Sequence, residues 1–140
     1  KLPDFLQFYE KELAGFRGNV VIKGNVEKNI AALPGLTEHV FNCLQEIEAL
    51  LRWMELQLRQ VRQKNYKKYL EAYNKTLTSR DAEKYADGEQ EVIDYECLVN
   101  EVALIRNKYM GVIKGLDQKS FMLGHITRLR TAGMEDITLG

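Results

Sequence analysis

The sequence predicts a mainly α-helical protein, built around a long antiparallel helical hairpin that follows a short mixed N-terminal segment. Two heptad patterns of apolar residues and the position of the prolines support this prediction. Pro3 and Pro34 both lie in the first quarter of the chain, so the remainder is free to form long helices. The 140 residues suit one domain, residues 1–140.

The N-terminal segment, residues 1–35, is expected to be mixed in structure. Asp4 can cap a short helix that runs to Leu13 and ends at Gly15. The β-branched run at residues 19–23 lies between two glycines and favours an extended conformation. Pro34 followed by Gly35 predicts a break before the first long helix.

The first long helix is predicted over residues 36–75. After an initial step of four, its apolar residues alternate between steps of four and three, the heptad period that keeps one narrow stripe facing a partner helix. They are Leu36, Val40, Leu44, Ile47, Leu51, Met54, Leu58 and Val61.

A second helical region is predicted over residues 79–133, where Thr78 and Asp81 resemble a helix-capping box. Its heptad consists of Tyr95, Leu98, Val102, Ile105, Tyr109, Val112 and Leu116. Gly111 and Gly115 are four residues apart, so they either let a neighbouring backbone approach closely or mark a kink.

Some large apolar residues are expected on the outer side of the hairpin. The candidates are Phe41, Trp53, Ile113, Phe121 and Met122. Because a narrow stripe is typical of helix pairing, we expect self-association to bury this surface, with a folded-back N-terminal segment as the alternative. The predicted oligomerisation residues are Ile113, Leu116, Phe121, Leu123, Ile126 and Leu129.

Charge is segregated although the formal net charge is zero. Residues 52–75 carry seven basic and two acidic residues, residues 81–101 carry eight acidic residues and one basic residue, and residues 106–130 carry six basic residues and one acidic residue.

The first basic stretch is a candidate single-strand-binding surface, because cations bind phosphates and tyrosines stack on unpaired nucleobases. Its candidate residues are Arg59, Arg62, Lys64, Tyr66, Lys67, Lys68, Tyr69 and Tyr73. The alternative is a solvated helix face that pairs with the acidic stretch and packs its tyrosines in the core.

Nothing in the sequence points to catalysis. A glycine-rich phosphate loop is missing, and His39 and His125 have no metal-ligand spacing around them. Cys43 and Cys97 are expected to be buried free thiols in a reducing cytoplasm. We therefore expect a non-enzyme without a cofactor, and, since no apolar run reaches the length of a membrane span, a soluble protein.

The C-terminal stretch carries a more specific pattern, residues 119–133, KSFMLGHITRLRTAG. Phe121, His125-Ile126 and an apolar residue followed by Arg130 resemble the C-terminus of UvsY, the recombination mediator of tailed bacteriophages. Residues 67–73, KKYLEAY, look like the basic segment of that family, and the similarity covers most of the chain from about Leu33. Here Lys68 stands in place of a small residue and Tyr69 in place of an arginine, so the basic character is kept while the charge moves by one position.

The resemblance implies a function. Members of that family bind single-stranded DNA as ring-like homo-oligomers, and the ring depends on the C-terminal helical region. They help a RecA-like recombinase to replace a single-strand-binding protein on DNA, in the cytoplasm of the infected host cell. The residues themselves also permit a helical-hairpin adaptor that binds only protein partners and no nucleic acid.

Overall fold

The computed structural model describes residues 2–73 and 78–133. This part of the chain contains four helices and no strand: α1 (Leu2–Val20), α2 (Val26–Tyr73), α3 (Ser79–Asp87) and α4 (Gln90–Thr131). The predicted mainly α-helical class is confirmed.

The N-terminal segment is helical, so the prediction of a mixed segment is wrong. Helix α1 continues through Gly15 to Val20, because its buried residues Tyr9, Leu13 and Phe16 recur at helical spacing on one packed face. Burial of that face outweighs the cost of about 1 kcal/mol for a glycine in a helix. The predicted extended run is also wrong, since residues 19–20 are helical and the link that follows contains no strand.

Helix α2 begins ten residues earlier than predicted, at Val26 instead of Leu36, and runs through Pro34 without a break. Asn25 starts it, since its side-chain oxygen accepts a hydrogen bond from the backbone N–H of Lys28 at 3.1 Å. Pro34 is exposed, so water can reach the helix backbone where the proline lacks its N–H. Burial of Val26 holds this first part of the helix against the rest of the core.

The region predicted as residues 79–133 is two helices, separated at Gly88 and Glu89. Thr78 caps α3 by accepting a hydrogen bond from the backbone N–H of Asp81, which confirms the predicted cap. The predicted end of the first long helix falls partly on residues 74–77, which lie outside the described residues.

The chain divides into two compact units. The first unit comprises residues 1–46 and 105–140, and the second comprises residues 47–104. Helices α2 and α4 each contribute one part to each unit.

The core of the first unit joins α1, α2 and α4. Tyr109 is fully buried, its hydroxyl donates to the backbone carbonyl of Tyr9 at 2.7 Å, and its ring meets those of Tyr9 and Phe16 edge-on. Burial raises the pKa of both tyrosines well above the ordinary value. Ten residues further along both α1 and α4, the buried Lys119 ammonium donates to the carbonyl of Asn19 at 2.6 Å, so these two helices run parallel.

The core of the second unit follows the predicted heptads. Ile47, Leu51, Met54 and Leu58 of α2 and Val102 of α4 are all buried. Three further residues complete this buried set: Ala82, Ala86 and Val92. The predicted heptad positions Tyr95 and Leu98 are half-buried.

The two glycines in question have different surroundings. Helix α4 is continuous through both, and a Cβ added at Gly115 would lie 2.8 Å from Cγ1 of Val20, whereas one at Gly111 would meet nothing within 4 Å. The close-approach interpretation therefore holds for Gly115.

Because of these different surroundings, alanine at the two positions should change the free energy of unfolding in opposite directions. We expect Gly115→Ala to lower the free energy of unfolding by about 1–3 kcal/mol, because the stiff Val20 side chain has to move. Gly111→Ala should raise it by up to about 1 kcal/mol, since alanine favours the helix and nothing is displaced. Urea denaturation followed by circular dichroism measures both, and equal stabilisation by the two substitutions would contradict the packing.

Candidate nucleic-acid interface

The predicted basic residues lie on the part of α2 that belongs to the second unit. Arg59, Lys64, Lys67 and Lys68 are exposed, and Arg62 is half-buried. The surrounding elements of this unit are α3 and the first part of α4, which carry the acidic stretch.

Three of these cations pair with carboxylates on α3 and α4 or between them. The Arg62 guanidinium lies 3.4 Å from the Asp87 carboxylate and also pairs with Glu96. Two lysines make one such pair each. Lys64 lies 3.6 Å from Glu91, and Lys68 lies 3.2 Å from Glu89. The pairing across helices that the sequence left open as an alternative is therefore present.

Two basic residues are not held by α3 or α4. Lys67 contacts Glu71 on its own helix at 3.9 Å, and both side chains are largely exposed. Arg59 forms no ion pair with any described residue. These two cations are exposed and are not tied to another helix.

The tyrosines of the predicted set differ in what they contact. Tyr66 is half-buried and lines a polar cavity of about 430 Å³ with Arg62, Gln63, Glu83, Ala86 and Asp87. Tyr69 is half-buried, and its hydroxyl donates to Glu89. Neither ring is fully buried in the core, and the side chain of Tyr73 lies outside the described residues.

Glu89 lies between α3 and α4 and contacts both Tyr69 and Lys68. Its carboxylate accepts hydrogen bonds from the Tyr69 hydroxyl and from the Lys68 ammonium. These bonds, the one from Tyr69 above all, hold the pKa of Glu89 below its usual range. The Lys68 ammonium also lies 5.2 Å from the centre of the Tyr69 ring, within the range of a cation–π contact.

Tyr85 on α3 belongs to this region and follows the exposed Lys84 in the sequence, although neither residue was singled out as a site residue. The Tyr85 ring stacks on the Tyr69 ring, with centroids 5.5 Å apart and an angle of 27° between the planes. Tyr85 is nevertheless 55% exposed. The sequence gives little indication that these residues could bind nucleic acid, because they lie in the acidic stretch.

The predicted oligomerisation residues separate into two groups in the first unit. Leu116, Leu123 and Ile126 are buried within the chain itself, and the last two pack with Val26. Ile113 and Leu129 are half-buried, while Phe121 is 64% exposed. Of this set, Phe121 is therefore the residue most available to another molecule.

The remaining predicted outer residues and the cysteines can also be placed. Phe41, Trp53 and Met122 are exposed, as predicted. Cys43 is buried as predicted, and the expectation for Cys97 is wrong, since it faces solvent on α4.

Within residues 2–73 and 78–133, no group of three or more histidine, cysteine or acidic side chains is arranged to hold a metal ion. In the same part of the chain, no helix is long and apolar enough to cross a membrane. Comparison with known protein families, with curated proteins and with solved structures found no match.

Proposed function

We propose that this protein binds single-stranded DNA and acts as a recombination mediator, which helps to load a RecA-like recombinase onto DNA covered by a single-strand-binding protein. The observation that carries the proposal is the surface position of the predicted basic residues on α2. The similarity of the C-terminal stretch to the phage mediators gives the proposal its biological setting, the cytoplasm of an infected host cell.

The ion pairs of these residues do not prevent phosphate binding. The side chains of Lys64 and Lys68 are more than half exposed, and such surface pairs contribute only about 0–1 kcal/mol each. A DNA strand offers a row of phosphates and releases counterions when it binds, so it competes with isolated carboxylates for the same cations.

The proposal includes assembly of several copies. The heptads predict a long antiparallel hairpin, and we propose that copies associate through the C-terminal part of α4 into a ring-like homo-oligomer. Each copy then contributes one basic surface, and weak sites add up through avidity. Loading of the recombinase in this scheme needs no catalytic chemistry from the mediator.

A second candidate function is a helical adaptor that binds protein partners without nucleic acid. The observation that favours it is the pairing of Arg62, Lys64 and Lys68 with acids of the same unit. In this function the basic stretch stabilises the unit and has no ligand of its own.

Oligonucleotide binding across a salt series separates the two functions. We expect the unmodified protein to bind a labelled single strand, measured by fluorescence anisotropy, with an affinity that falls steeply as salt rises. Substitution of Lys67 and Lys68 together by alanine should weaken binding to all sequences alike. It should also lower the slope of log affinity against log salt by about 1.4, because each phosphate contact on a single strand contributes about 0.7.

A matched control removes the same charge elsewhere. Lys23 and Lys28 are exposed residues of the first unit, and their double alanine variant should keep the slope of the unmodified protein. Absence of DNA binding in the unmodified protein refutes the mediator and leaves the adaptor. Equal weakening by both double variants would show that Lys67 and Lys68 are not a specific part of the DNA site.

A further inference from the structure

The structure points to a nucleobase contact outside the predicted basic stretch. The ring of Tyr85 on α3 covers one side of the Tyr69 ring and remains 55% exposed. An exposed aromatic face beside cations is the chemistry with which proteins hold unpaired bases, because every base has a π-face that can stack.

The stacked tyrosines are held in place from several sides. The Tyr69 hydroxyl is anchored on Glu89, and Lys68 is anchored on the same carboxylate. The buried residues Ala82 and Ala86 fix α3 against the core of the unit, and the Thr78 cap defines where α3 begins. The Tyr85 ring is therefore positioned before any ligand arrives, which lowers the entropy cost of stacking a base on it.

An exposed cation precedes Tyr85 in the sequence of α3. Lys84 precedes Tyr85 on α3, is exposed, and forms no ion pair with any described residue. Adjacent helix residues project about 100° apart, so the long, flexible Lys84 side chain has to turn toward Tyr85 to meet the phosphate of a nucleotide whose base stacks there. Unlike Lys68, this ammonium has no carboxylate to release first.

We propose that the Lys84–Tyr85 pair on α3 binds one unpaired nucleotide of a single strand, with its base stacked on the exposed face of Tyr85 and its phosphate paired with Lys84. This inference rests on the proposed DNA-binding function and adds a second helix to the site. It also assigns a ligand to Lys84, the one basic residue in the acidic stretch of the sequence.

The first experiment uses the unmodified protein with two oligonucleotides of equal length, one of thymidines and one with abasic positions. Both carry the same phosphates, so only stacking differs. We expect the abasic strand to bind more weakly, by about 5- to 150-fold for one lost stack. Equal affinity for the two strands overturns the stacking proposal without any variant.

The second experiment assigns the stack to Tyr85. Tyr85→Leu keeps an apolar side chain but removes the ring, so it should weaken binding of the thymidine strand and reduce the difference from the abasic strand. Tyr85→Phe keeps the ring and should bind like the unmodified protein. The matched control is Phe8→Leu, which removes a similarly exposed ring from α1 in the first unit and should change nothing.

The outcomes separate this inference from the function on which it rests. If the unmodified protein binds DNA and Tyr85→Leu binds equally well while remaining folded by circular dichroism, the nucleotide site on α3 is wrong and the mediator proposal stands. If the unmodified protein binds neither strand, both fail. Lys84→Ala should lower the salt slope by about 0.7, and an unchanged slope overturns the phosphate contact.

Discussion

Replacement of Tyr109 by alanine is expected to lower the free energy of unfolding by about 3–5 kcal/mol, as for other large aromatic side chains removed from a core. Tyr109 is 0% exposed, its ring contacts two other aromatic rings, and its hydroxyl bonds to the backbone of α1. Loss of the side chain leaves a cavity at the place where α1 and α4 are joined. Urea denaturation of the unmodified and altered proteins gives the difference.

Two further variants divide this effect into its parts. Tyr109→Phe keeps the ring and loses one hydrogen bond, so it should cost only about 0.5–1.5 kcal/mol. Phe41→Ala removes an exposed ring from the same unit and should stay within about 0.5 kcal/mol of the unmodified protein. If Tyr109→Ala costs no more than Phe41→Ala, the described core of the first unit is wrong.

The buried stripes were predictable from the sequence because they depend on residue spacing alone. Ile47 and Met54 on α2, and Val102 and Tyr109 on α4, occupy heptad positions and are buried. A residue at that spacing returns to the same side of its helix whatever the partner, so the period is enough to place it in the core.

The short helix from Asp4 was predicted, but the continuation of α1 past Gly15 and the early start of α2 were missed, because packing outweighs the local signals there. Gly15 and Pro34 both disfavour helix in isolation, by about 1 and 3 kcal/mol. The burial of Phe16 on α1 and of Val26 on α2 joins these segments to α4 and outweighs that cost. Such contacts link residues about one hundred positions apart, as Tyr9 and Tyr109 do, and spacing within one segment does not reveal them.

The sequence predicted which residue types the candidate site contains, but not which residues contact one another there. The sequence indicates that α2 carries cations and tyrosines, but the partner of each cation depends on the register between α2 and the acidic stretch. A shift of that register by one residue would turn the side chains of one helix by about 100° and change the partners of Lys64 and Lys68. Tyr85 was missed for the same reason, because its stack on Tyr69 exists only once α3 packs against α2.

The proposed oligomer can be tested with two aspartate substitutions that the sequence alone treats as equivalent and the structure separates. Ile126 packs with Val26 and Leu123 inside the chain, so Ile126→Asp buries a carboxylate without a partner and should destabilise the first unit by on the order of 4 kcal/mol. Phe121 is 64% exposed, so Phe121→Asp should leave the fold and the helical signal of each copy unchanged.

The two variants should therefore differ in how they affect assembly. We expect light scattering to show a closed oligomer for the unmodified protein at micromolar concentration. For Phe121→Asp we expect a folded monomer or small species, because a charge at the centre of an apolar contact between copies is not solvated there. Ile126→Asp should lose assembly only together with its helical signal in circular dichroism. A monomeric unmodified protein would rule out the oligomer. An intact oligomer in Phe121→Asp would show that the copies meet through a different surface, since Phe121 is then not at the contact.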